Sequence, residues 1–272
     1  MTPRRRDPLP GFGLSLGVTL LWLLGLVLLP LLALLLRPLE LGPAGFWHSV
    51  TEPRVLAALR LSFLGALAAA AATVPPGLLV AWVLVRYRFP GRRLLDGMVD
   101  LPFALPTAVA GLALTALYAP NGWLGAPLAA LGLKVAYTPL GVVLAMAFVG
   151  LPFIVRTVEP VLRDLPREAE EAAATLGASR AQTLWRVVLP ALAPALLAGF
   201  AMAAARAIGE YGSVIFIAGN MPMVSEIAPL LIVVRLEQFD YAGAAAVGVA
   251  MLALSFLLLL ALNLVQRLWR RA

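Results

Sequence analysis

Arg206 and Glu210 stand four residues apart in the stretch AARAIGEYGSVIFIAGN, between apolar neighbours. On a helix that spacing puts a guanidinium and a carboxylate on one face. Near the centre of a bilayer each costs roughly 2.5 to 3.5 kcal/mol on insertion scales, while an apolar residue returns only about 0.3 to 0.6 kcal/mol, so neither faces lipid. Two roles fit: the pair neutralises itself inside a bundle, or Arg206 adds positive potential to an anion path while Glu210 holds it in place. The rest of the inventory is narrow. There is no Cys and a single His, His48, which excludes Cys/His metal sites, disulfides and Cys nucleophiles. Ser and carboxylates are present, but without His no nucleophile–base arrangement is recognisable. The only Lys, Lys134, is far from any G-x-x-x-x-G-K-[ST] run, so the chain lacks the group that reaches the β and γ phosphates of a nucleotide. No catalytic residue, metal ligand or cofactor is expected.

The elements that position these residues are membrane spans. Of the 272 residues 62% are hydrophobic and 13% charged, and the mean hydropathy is +0.94, outside the range of soluble domains. Apolar runs at roughly 14–36, 57–85, 98–119, 138–159, 193–218 and 243–265 predict six transmembrane helices, with Pro30 interrupting the first and Pro75 and Pro76 kinking the second. The net charge of +7 does not mark a nucleic-acid binder, because the arginines sit in short clusters beside the spans. One side collects Arg4, Arg5, Arg6, Arg86, Arg88, Arg92, Arg93, Arg163, Arg167, Arg180, Arg186, Arg267, Arg270 and Arg271. The other has Arg37, Arg54, Lys134 and Arg235. Both termini and the loop at 160–192 are therefore expected in the cytoplasm. Residues 1–272 read as a single all-α integral membrane domain, one bundle in contact with lipid. Arg60 is expected to snorkel toward its interface, and the outer stretch 219–243 to lie as an interfacial helix over the bundle mouth. Small residues at helix-packing spacing, Gly13 with Gly17 and GALAAAAAT, predict close helix contacts.

The cytoplasmic loop has punctuation of its own. In DLPREAEEAAATLG, Asp164 is placed to cap a helix, Pro166 fits its first turn, and Glu168, Glu170 and Glu171 favour the positive end of its dipole. Gly177 suits the left-handed position that ends it. Ser179 and Gln182 form a capping box for a second helix, which runs to Pro190. Leu165, Ala169, Ala172, Ala173 and Leu176 make a narrow apolar stripe. Either the protein's own helix ends cover it, or it plugs a groove on a cytoplasmic partner.

Glu171-Ala172-Ala173, three residues, Gly177, nine residues, then Val187-x-Leu189-Pro190 resembles the EAA loop of ABC importer permeases, with Val187 where Ile is commoner. The resemblance implies a type I importer permease fold and assigns Glu171, Ala172, Ala173, Gly177, Leu189 and Pro190 to the coupling loop that docks on a separate cytoplasmic ABC ATPase. LPFALPTAVAGLALTALYAPNGWLG, GLPFIVRTVEPVL and GEYGSVIFIAGNMPMVSEIAPLLIVVRLEQFDYAGA extend it over about residues 55–265, where the chain is similar to the T-type permease of sulfate/thiosulfate importers. That family implies a bacterial inner-membrane location, a second permease subunit (a homologue or a second copy), two ATPase subunits and an extracytoplasmic sulfate-binding protein. Molybdate and tungstate permeases are close relatives of the same pattern. The other function class is a self-sufficient secondary anion transporter, which predicts several carboxylates along an ion path.

Overall fold

The computed structural model describes residues 11–269, which form helices joined by loops, with no strand among them. Arg4, Arg5, Arg6, Arg270 and Arg271, which carry part of the orientation argument, lie outside the described residues. Helix α1 is a run of segments over Phe12–Thr51 and α2 is Pro53–Arg86. Next come α3, Arg92–Val99, and α4, Thr107–Tyr118. The short α5, Gly125–Ala130, leads to α6, Pro139–Asp164. Helix α7, Arg167–Thr175, turns into α8, Arg180–Ile208, and α9, Ala228–Glu237, precedes α10, Tyr241–Trp269.

Five of these, α1, α2, α6, α8 and α10, are long and apolar enough to cross a membrane. The expected span at 98–119 is broken. Asp100 separates α3 from a single turn, Leu101–Ala104, and Leu105 and Pro106 are extended before α4 begins. The ring of Pro106 disfavours helical torsions at Leu105 and provides no N–H, which explains the break. At 1.5 Å per residue the 12 residues of α4 reach about 18 Å, short of a hydrocarbon core of about 30 Å. The span expected at 193–218 is likewise shifted. Its helix begins well before 193 and stops at Ile208, with Gly209 as its C-cap.

Prolines shape the long helices locally. Pro75 and Pro76 leave α2 continuous. Wide π turns occur at Leu24–Leu28 and Leu184–Val188, each two residues before a proline, Pro30 and Pro190. A proline's missing N–H leaves the carbonyl one turn earlier without its usual partner, and the backbone rewinds to suit. The second cytoplasmic helix therefore does not end at Pro190, as its sequence suggests, but runs through it into the membrane.

Helices α2, α6 and α8 pack on one another as the core of the bundle. Their contact surfaces are small: Ala66, Ala69 and Ala70 from α2 meet a layer containing Ala203, Ala204 and Ala207 from α8, all buried. Gly77 has no room for a Cβ, which would lie 2.6 Å from Cγ2 of Ile154. Lipid supplies no hydrophobic drive for helix association, so close backbone approach and dispersion contacts hold such a core together. The GALAAAAAT run fulfils this role. Gly13 and Gly17 do not: nothing lies within 4 Å of a Cβ built on either, and Phe12–Leu28 of α1 is exposed along its length among the described residues. The later segments of α1 lie along α10, with Leu34 against Gly248.

Helix α9 packs against α2 and α10 with Ala228, Leu230, Leu231 and Arg235 buried, so one of its faces is part of the bundle.

Candidate functional site

At one end of the bundle, α7 and the start of α8 form a bend fastened on both sides. Gly177 takes φ +82, its N–H donates to the carbonyl of Ala174 and that of Ala178 to the carbonyl of Ala173, both 3.0 Å. That pair of bonds is a Schellman closure, satisfying carbonyls that a helix end leaves without partners. Two residues on, the Ser179 hydroxyl accepts from the Gln182 N–H at 3.3 Å and the Gln182 side chain accepts from the Ser179 N–H at 2.8 Å. The capping box is thus present. Asp164 plays a different part from the one its sequence suggests: it is the last residue of α6, and Pro166 caps α7 without a side-chain bond.

Rotation of α7 is fixed by Glu170, which pairs with Arg86 at the end of α2, while Arg86 stacks over the Trp82 ring with 5.7 Å to its centroid. This pairing splits the apolar stripe. Leu165, Ala169 and Ala173 are half-buried against the protein, whereas Ala172 and Leu176 turn outward with Glu168, Glu171 and Thr175. Leu176 is 88% exposed and Trp185, on the next turn, 70%. Leu189 is half-buried and Pro190 exposed, both within α8. Between the bend and the lower half of α2 lies a cavity of about 1000 Å³, lined by Pro75, Leu78, Trp82, Trp185 and Leu189 among others.

Toward the other end of α8, Arg206 and Glu210 form an ion pair at 2.7 Å, but they do not share a helix. Gly209 ends α8, and Glu210 sits in the turn that follows. The Glu210 carboxylate is buried and also accepts from the N–H and the hydroxyl of Ser213, 2.9 Å each. The Arg206 side chain stays 38% exposed. Gly111 of α4 and Gly212 of the turn approach Ser213 and Thr107 too closely for any Cβ, so the broken crossing is seated on the Glu210 turn. Arg60 is exposed on α2 and makes no ion pair among the described residues.

Three further ionic groups hold the bundle, and none stood out in the sequence. Arg156 of α6 donates to both oxygens of Asp100 (3.0 and 2.6 Å), to Asp96 (2.6 Å), to Glu159 (2.8 Å) and to the Asp96 carbonyl (3.0 Å). On the opposite end, Arg54 forks onto Glu226 at 2.8 and 2.7 Å. Arg235 pairs with Glu52 at 2.6 Å, and the hydroxyl of Ser62 accepts from the Ala228 N–H at 2.9 Å. Together these bonds fasten both ends of α9 to α2. The only available signal was local: Asp96 with Asp100, and Arg156 with Glu159 and Arg163, at helical spacing. Their pairing spans 56 and 60 residues, beyond what spacing reveals. No group of three or more metal-ligating side chains occurs among the described residues.

Five helices long and apolar enough to cross a membrane, packed as one bundle, define a multi-pass membrane protein. Residues 73–271 match the family of binding-protein-dependent transport system inner membrane components, and the chain belongs to that family. It is 52% identical to the sulfate transport system permease protein CysT of Salmonella typhimurium and 51% identical to that of Escherichia coli, each over 96% of this chain and 94% of the relative. The probable sulfate transport system permease protein cysT of Nephroselmis olivacea is 51% identical over 92% of this chain and 88% of its own. Among solved structures, a bacterial ABC transporter that imports the acidic polysaccharide alginate matches with TM-score 0.75 at 18% identity, over 94% of each chain. The inward-facing MetNI methionine ABC transporter matches with TM-score 0.59 at 17% identity, over 84% of this chain and 99% of that one. The fold is therefore that of an ABC importer permease, and the chain is a transmembrane importer subunit.

Proposed function

We propose that this subunit forms part of the translocation path for sulfate, with thiosulfate as a second cargo, in an importer that works by alternating access. The observation that carries the cargo is its half-identity, over nearly the whole chain, to relatives named as sulfate transport permeases. A separate ATPase supplies the energy and docks on the bend at Glu171, Ala172, Ala173 and Gly177, continuing to Leu189 and Pro190. The outward pair Ala172 and Leu176, flanked by Glu168 and Glu171, supports that reading, since a small apolar ridge between carboxylates fits a groove on a partner. A second permease, homologous or identical, completes the path, and a sulfate-binding protein delivers cargo from outside.

The test is radiolabelled sulfate uptake by proteoliposomes holding the permease with its ATPase and binding protein. Uptake is expected to require ATP and the binding protein, and to fall in Glu171→Ala without loss of membrane insertion. Uptake of molybdate with no uptake of sulfate would overturn the cargo assignment, and full uptake by Glu171→Ala would overturn the docking role.

A further inference from the structure

The short segment between α2 and α4 separates its charges. Arg86 is paired with Glu170. Both acids of the segment, Asp96 and Asp100, turn toward Arg156 at 2.6 Å. Arg88, Arg92 and Arg93 make no ion pair among the described residues, yet they line one cavity of about 530 Å³ together with Phe89, Gly91 and Asp96. Three arginines lining one space bring like charges together, which repel one another, and the one carboxylate present is already committed to Arg156. An anion in that space relieves the repulsion, and the planar guanidinium fork suits phosphate oxygens.

The surroundings decide which anion. The segment follows directly on a membrane-spanning helix, and its own helix α3 exposes Leu94 (70%) and Met98 (52%), with Phe89 at 36% just before it. A site for a small free oxyanion does not call for exposed apolar side chains beside its cations. A headgroup with acyl chains attached does, because the chains then cover Leu94 and Met98 while the phosphate meets the arginines. The geometry points to a binding site for an anionic phospholipid at Arg88, Arg92 and Arg93, with the phosphodiester in the cavity. It lies at the end of the bundle that carries the α7–α8 bend, beside the Arg86–Glu170 pair that fixes α7.

The test uses the full-length chain, co-expressed with its partner subunits and placed in nanodiscs of equal parts phosphatidylglycerol and phosphatidylcholine. Native mass spectrometry reads the lipid retained. Phosphatidylglycerol is expected to stay bound in preference to phosphatidylcholine. Retention falls about fivefold for each of Arg88→Gln, Arg92→Gln and Arg93→Gln, and on the order of a hundredfold in the triple variant. Arg267→Gln, which removes the same charge near the end of α10, leaves retention at the parent level. The single variants keep the readout clear of any insertion defect in the triple. Undiminished retention in all three singles overturns the proposal. Displacement of the lipid by millimolar phosphate or sulfate identifies a free-oxyanion pocket instead, and loss of the ATPase from the triple variant with lipid unchanged identifies a protein contact. Either result also overturns the lipid assignment.

Discussion

Glu210 is held from two directions, by Arg206 on one oxygen and by the N–H and hydroxyl of Ser213 on the other. The two roles open to this pair therefore separate by mutation. Glu210→Gln keeps an acceptor for Ser213 and is expected to cost little in thermal stability. Glu210→Ala strands a buried N–H and hydroxyl and should cost about 2 to 3 kcal/mol. Arg206→Met leaves the buried carboxylate with its Ser213 donors but without its counter-charge. Its stability loss is expected at about 2 to 4 kcal/mol, below that of a fully buried pair because Arg206 is part-exposed. If Arg206 contributes to an anion path, Arg206→Met assembled with its ATPase should carry sulfate at least about tenfold more slowly, the effect of roughly 1.4 kcal/mol on a barrier. Uptake at the parent rate by that variant reduces the pair to a structural role.

The bend between α7 and α8 belongs to the scale of elements. Nothing lies within 4 Å of a Cβ built on Gly177, so a substitution there meets no steric neighbour and acts only through its positive φ. Gly177→Ala is expected to cost about 1 to 2 kcal/mol locally and Gly177→Val more, while Gly177→Asn, which tolerates the left-handed region, costs least. On the proposed docking role, sulfate uptake should fall in the order Asn, Ala, Val with insertion unchanged. An Asn variant as defective as Val would show that the hydrogen atom at this position matters for contact, not conformation. Arg156 is the counterpart at the neighbouring loop. Arg156→Ala removes all its bonds to α3 and Asp100 and leaves two acids facing Glu159, so the melting free energy in detergent should drop by about 1 to 3 kcal/mol, discounted because the group is part-exposed.

The elements were legible in the sequence to different degrees, and for physical reasons. Gly177, Ser179 and Gln182 announced the bend because caps and left-handed glycines are local chemistry. The five long spans announced themselves by hydropathy. The break at Pro106 was written in the residue itself, yet an apolar window averages over it. The end of α8 at Gly209 was hidden in the same way by the apolar VIFI beyond it, and Glu210 was therefore placed on a helix it does not occupy. The seating of α9 on α2 was out of reach because it depends on Arg54 meeting Glu226, a pairing across 172 residues. The stripe on α7 was correct in its spacing and wrong in its unity, since the Arg86–Glu170 pair decides which part of it is covered.

For the whole molecule, the ionic groups sort to opposite ends of α2. Arg54 and Glu52 fasten α9 at its start, and Arg86 fastens α7 at its finish. A reporter enzyme active only in the cytoplasm, fused after Gly177, is expected to be active. One fused after Asn121 or Asp240 is expected to be silent. The reverse pattern would invert the orientation and move the ATPase docking surface to the other face. The same sorting bears on the order in which the molecule is made. The seat of α4 is the turn around Glu210 and Ser213, about a hundred residues downstream, so at synthesis rates of roughly 5 to 20 residues per second α4 waits about 5 to 20 seconds for it. Too short to span alone and interrupted at its start by Pro106, this helix is the part of the chain that most needs shelter during translation, by the insertion machinery or by α2, until α8 arrives.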